Sequence, residues 1–200
     1  QAGMLSARTQ RQYAPVLKRK CLIGNAWHAA SLACRHRLRQ ALRMDALTDS
    51  GVALDALNAH FAGMPPVAAL QPTVADWRDG HLQLSAPLAA NINDKGCAFG
   101  GSLVSLMTIG AWGLVFLELA QAGIEADIFV ADSRVRYLKP VFEDIVIDAT
   151  FDDAGERAQL VDTLRKQGRA SIRLKSESLL AEGGVAASFV GRYVAIVRNG

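Results

Sequence analysis

Residues 96–117 read Gly96-Cys97-Ala98-Phe99-Gly100-Gly101-Ser102-Leu103-Val104-Ser105-Leu106-Met107-Thr108-Ile109-Gly110-Ala111-Trp112-Gly113-Leu114-Val115-Phe116-Leu117, without an Asp, Glu, Lys, Arg or His. An apolar run of more than about 18 residues has to be weighed as a membrane span. Here Gly96, Gly100, Gly101, Gly110 and Gly113 dilute it, as do the hydroxyls of Ser102, Ser105 and Thr108. Lys95 precedes the run, but Glu118, Glu125 and Asp127 follow it and no basic anchor does, the wrong flanks for a bilayer. The alternative is a helix that is apolar all round because a sheet wraps it. That reading decides the fold.

Working outward, the periodicity on both sides of the run is that of strands. Upstream, Asp49 or Ser50 is placed to cap a helix reaching about His60, and Met64-Pro65-Pro66 ends it. Strands are predicted over Val67 to Trp77 and His81 to Pro87, with Arg78-Asp79-Gly80 as a hairpin turn. In the second, Leu82, Leu84, Ala86 and Leu88 alternate with His81, Gln83 and Ser85. A loop covers Ala89 to Ala98. Downstream, 128–138, 144–151, 169–180 and 184–197 have a period of two, and 155–168 carries Leu160, Val161 and Leu164 at helical spacing. No strand alternates with a helix in a βαβ rhythm. The expected class is therefore α+β with an antiparallel sheet.

The chain has 200 residues, 22 Lys/Arg and 19 Asp/Glu, a net charge of +3. Residues 1–43 hold nine of the basic groups and no acid, leaving 13 basic groups against 19 acids in 44–200, or −6. The pI of 8.9 averages a basic segment with an acidic body. It is no argument for nucleic-acid binding by that body. Within 26–43, Trp27, Cys34, Leu38 and Leu42 fall on one helical face among His28, Arg35, Arg39 and Arg43, a basic amphipathic pattern. We expect 1–43 to be an extension outside the fold, with targeting or a binding arm as alternatives, and 44–200 to be one domain. Cys21, Cys34 and Cys97 form no C-x-x-C pair, and four histidines make no H-x-x-x-H pattern. Neither a disulfide framework nor a metal site is expected, and a reduced, cytoplasmic setting is.

The segment carrying chemistry is the entrance to the long helix. Two glycines and a hydroxyl there leave backbone N–H groups unpaired at the positive end of the helix dipole. An anion, or an atom becoming one, belongs at that place. No Lys follows the glycines, which excludes a Walker A loop, and no βαβ unit surrounds them, which excludes a dinucleotide turn. Gly-Gly can also serve only for close packing against a sheet.

The motif Asn93-x-x-Gly96-x-x-Phe99-Gly100-Gly101-Ser102, then Asp132-Ser133-x-x-x-Tyr137-Leu138-x-Pro140-Val141 and the ending Gly191-Arg192-Tyr193-Val194-Ala195, resembles the hotdog-fold thioesterases. It is most similar to the thioesterase family named for the C-terminal domain of YiiD, over about residues 50–197. The resemblance implies a curved sheet of about six antiparallel strands around the central helix. It implies a homodimer, or a dimer of dimers, that builds its active sites at the interface. It further implies an acyl-CoA or acyl-carrier-protein substrate, a role in fatty acid metabolism and no cofactor.

On that resemblance the amides of Gly100 and Gly101 form the oxyanion hole, worth about 3 kcal/mol per well-aimed donor, and Asn93 orients the carbonyl or the attacking water. Phe99 stands where relatives usually carry His, and Thr108 where they carry the acidic base or nucleophile. A threonine does not ionise at neutral pH, so Asp132 is a candidate general base reaching across the dimer. The other reading of Asp132 is an ion pair with Arg134 or Arg136. Asp94 is a further candidate base or a turn residue. Cys97 is either a nucleophile or a small buried thiol. Phe99, Ser102 and Tyr137 are candidate substrate contacts, and Arg134, Arg136 and Lys139 are placed for carrier phosphates or for solvent. Two functions stay open: thioester hydrolysis, and acyl-thioester binding or regulation without turnover.

Overall fold

The structure is a computed structural model that describes residues 50–198. The segment 1–43, its amphipathic pattern and the Asp49 cap lie outside the described residues. Helix α1 (Ser50–Ala62) and the single turn α2 (Pro65–Ala68) precede the hairpin β1 (Thr73–Arg78) and β2 (His81–Ala86). A second short turn, α3 (Leu88–Asn91), leads to the long helix α4 (Gly100–Gln121). After it come β3 (Ala126–Tyr137), β4 (Ile145–Phe151), α5 (Ala154–Gln167), β5 (Arg169–Leu179) and β6 (Val185–Val197). The strands form one six-stranded sheet in the order β1-β2-β4-β5-β6-β3, every neighbouring pair antiparallel.

Local chemistry explains most boundaries. Asp79 and Gly80 have φ of 51° and 77°, the two positive values of a two-residue hairpin loop. Asp153 Oδ1 accepts from the Glu156 amide at 2.8 Å and Gly168, at φ 67°, closes the other end of α5, so that helix has both caps its sequence offers. Along β5, Ala170, Ile172, Leu174, Ser176 and Ser178 are buried and their alternates exposed, giving the sheet one dry and one wet face. Two expectations are corrected. The first strand begins at Thr73, not Val67, because Pro65 and Pro66 open a helical turn, the position where proline's fixed φ is suited. Leu88 also leaves the strand alternation of β2 and starts α3.

The dry face of the sheet packs on α4. Leu106, Met107, Ala111, Leu114, Val115 and Leu117 are fully buried there. Gly110 and Gly113 set how closely helix and sheet approach: a Cβ at 110 would lie 3.3 Å from Leu84 Cδ2, and one at 113 only 2.9 Å from Leu82 Cδ2. Gly113→Val is expected to cost about 2 kcal/mol through overpacking. That lowers the melting temperature by about 4–8 °C for a domain of this size, as a thermal melt would read.

The sheet does not wrap α4 completely, contrary to expectation. Gly101, Val104, Thr108, Ile109, Trp112 and Phe116 are only half-buried and Ser105 is exposed, a stripe at helical spacing on the side away from the sheet. Its far end is closed by His60 of α1, whose ring stacks on Trp112 at 5.1 Å and Phe116 at 5.6 Å. Trp112 Nε1 also donates to the Ile128 carbonyl of β3 at 3.1 Å. Although α4 is long and apolar enough to cross a bilayer, its apolar residues are used in this core.

Candidate active site

The loop before α4 is a compact structure built by two asparagines. Asn91 is 2% exposed. Its Nδ2 donates to the Leu70 and Pro87 carbonyls at 2.9 Å each. Its own carbonyl accepts the Phe99 amide at 2.7 Å. Asn93 works inside the loop: Oδ1 accepts the amides of Lys95 at 2.8 Å and Cys97 at 3.3 Å, and Nδ2 lies 3.2 Å from Cys97 Sγ. Gly96, at φ 76°, makes the turn that lets the Asn93 amide reach the Cys97 carbonyl at 2.8 Å. Beyond it, the Ala98 amide donates to the Val141 carbonyl at 2.8 Å, fixing the chain as it enters the helix.

Phe99 is the N-cap residue of α4, extended at φ −67° and ψ 130°, and no side chain caps the helix. The first intrahelical bond runs from the Leu103 amide to the Phe99 carbonyl at 3.0 Å. The amides of Gly100, Gly101 and Ser102 are thus the orphan donors of the first turn. The Phe99 ring lies over Gly101, where a Cβ would come within 2.3 Å of it. Tyr137, the last residue of β3, lies against Gly100 and donates its hydroxyl to the Gly100 carbonyl at 3.0 Å. Together with Ala98, Leu103, Leu138, Lys139 and Pro140 these two residues line a cleft of about 290 Å³. The cleft is apolar apart from the phenol, the backbone and one ammonium group.

The other residues singled out in the sequence fall in three places. Thr108 lies two turns along α4, its Oγ1 donating to the Val104 carbonyl at 2.7 Å, and Ser102 is buried in the first turn. Tyr193 donates to the Thr108 carbonyl at 2.9 Å, and burial pushes its phenol pKa well up, so it stays a donor at any ordinary pH. Asp132, Arg134 and Arg136 share the outer face of β3, opposite to Tyr137, as their pairing with Arg192, Val190 and Ser188 requires. Asp132 Oδ2 accepts from Arg192 Nε at 2.8 Å and Nη2 at 2.5 Å, an ion pair with a different arginine from those next to it in sequence. It also lies five residues from Tyr137, about 17 Å along a strand. Within one protomer the structure therefore unites Gly100, Gly101, Phe99 and Tyr137, and Asp132 lies away from them on the other face of β3.

Asp94 is exposed and paired with Lys95 Nζ at 2.9 Å. Cys97 is a buried thiol against Asn93. Among the described residues no group of three His, Cys, Asp or Glu is placed to hold a metal ion. Sequence reasoning passed over Asn91, which hides in a predicted loop, and Leu138 and Pro140, which form one wall of the cleft. The last two belong to the quoted Tyr137-Leu138-x-Pro140 motif, and that was the available signal.

Comparison with known proteins bears on the fold and the family. A protein of unknown function from Chlorobaculum tepidum superposes with a TM-score of 0.69 at 26% identity, covering 74% of this chain and 96% of that one. The putative thioesterase from Shewanella oneidensis has 30% identity and a TM-score of 0.65, with 72% and 97% covered. A Pseudomonas aeruginosa protein, at 20% identity and a TM-score of 0.61, shares the fold. The six-stranded antiparallel sheet with one long helix matches the hotdog fold of thioesterases. Residues 55–197 match the family model described as Putative thioesterase (yiiD_Cterm), and the chain belongs to that family.

Proposed function

We propose that the protein hydrolyses acyl thioesters of coenzyme A or an acyl-carrier protein, using the first-turn amides of α4 as the oxyanion hole. The observation that carries this is the set of orphan N–H groups of Gly100, Gly101 and Ser102 in the first turn of α4, of which Gly100 lines an apolar cleft, in a chain of a thioesterase family. Water attacks the thioester carbon, a C–O bond forms, and the carbonyl π pair moves to oxygen, where the amides and the helix dipole hold it. The intermediate collapses by breaking C–S. The proton of the attacking water passes through solvent in the open cleft to the departing thiolate, leaving a carboxylic acid and a thiol.

Lys139 at the cleft and Arg134 and Arg136 on β3 have no ion pair among the described residues, which suits the phosphates of either carrier. The site is completed by a second copy of the chain joined along β3. Among the described residues that strand is a sheet edge of twelve residues with no strand beyond it. It also carries exposed Phe129, Val130 and Tyr137, with Leu138 just beyond, a combination that proteins ordinarily cover.

A second reading is favoured by two observations: Thr108, where the resemblance places an ionisable group, is tied to Val104, and among the described residues no carboxylate lines the cleft. In it the protein binds an acyl thioester without turning it over. Thiol release from acyl-CoAs of two to sixteen carbons separates the two. Steady turnover is the expected result, and none with any thioester, accompanied by thermal stabilisation by acyl-CoA, would establish binding alone.

A further inference from the structure

We infer that Tyr137 is a positioning residue for the oxyanion hole, acting through the peptide that joins Gly100 and Gly101. This rests on the hydrolase reading above. The Gly100 carbonyl, which accepts the Tyr137 hydroxyl at 3.0 Å, and the Gly101 N–H belong to one planar peptide unit. A hydrogen bond to the carbonyl end fixes that plane and draws charge toward oxygen. The N–H at the other end becomes a stronger donor, by about 10–30% per bond.

The first turn needs such a brace. Two adjacent glycines give it the loosest backbone of any residue pair, and no side chain caps it. Tyr137 is itself held from the sheet side. It pairs with Ala187 at the end of β3, and the amides of Leu138 and Lys139 both donate to the Ala186 carbonyl, at 2.8 and 3.0 Å. The sheet thereby sets the orientation of a peptide on the helix, across 37 residues of sequence.

The experiment is Tyr137→Phe in the full chain, which keeps the ring against Gly100 and removes only the hydroxyl. The expected result is a kcat for acyl-CoA about three- to fivefold lower with KM unchanged. In the ligand-free protein the Gly100 carbonyl ¹³C and Gly101 amide ¹⁵N resonances should both move upfield. Unmoved resonances would overturn the inference, as would moved resonances with an unaltered kcat. A raised KM at constant kcat would overturn it too, since that marks a direct substrate contact. If the wild-type protein turns over no thioester, the hydrolase reading falls separately, and the two resonances alone decide whether the hydroxyl braces the peptide.

Discussion

Gly100→Pro is expected to lower kcat for thioester hydrolysis about 100- to 1000-fold, the loss found when one oxyanion-hole donor is removed. The substitution deletes a single N–H. Position 100 is the first residue of α4, where proline costs no intrahelical bond and its fixed φ matches the helix. Phe99 before it already has the extended conformation that a following proline demands. A Cβ at 100 would lie 3.5 Å from the Tyr137 ring, an ordinary contact. The melting temperature should therefore stay within a few degrees of wild type while turnover collapses. Steady-state kinetics beside a thermal melt check this, and an unchanged kcat would remove Gly100 from the oxyanion hole.

On the β3-joined dimer proposed above, Ala131→Pro should yield a monomer, with scattering mass falling from twice the 21.4 kDa of the chain to once, and turnover dropping at least tenfold with it. The register of β3 on β6 jumps from Val130↔Tyr193 to Asp132↔Arg192, so Ala131 is the extra residue of a bulge. Proline is tolerated at bulges and edges because it removes no ladder bond there. The pairing with β6 survives, but the free side of β3 is blunted against a second strand. Activity follows because the cleft is open in one protomer, with Phe99 and Tyr137 each 56% exposed. Light scattering that gives the same mass for both proteins would exclude the β3 edge as the interface.

The fold was largely legible because its signals are local. Alternation predicts β5 almost residue for residue, and Asp79-Gly80 marks the β1–β2 hairpin. The misplaced start of β1 has the same origin: Val67 to Thr73 carries apolar residues that fit a strand, and Pro65 and Pro66 open a helical turn there instead. The site was legible as a motif but not as a geometry. The side-chain amide of Asn93, which the resemblance assigns to substrate, also builds the turn before α4, and that use is invisible in the sequence. Asp132 pairs with Arg192, sixty residues away in sequence, rather than with the neighbouring Arg134 or Arg136.

By itself, the sequence determined the class of the fold, the long apolar helix at its centre and the place where orphan amides would be found. These follow from periodicity, from glycine and proline chemistry and from helix ends, all of which act over a few residues. Only the tertiary structure decided which groups meet those amides. The hydroxyl of Tyr137 reaches Gly100 because β3 ends beside the start of α4, and Asp132 points the other way because side chains alternate along a strand held in one register by β6. Register and chain crossing are set by the packing of the whole core, so no local pattern encodes them.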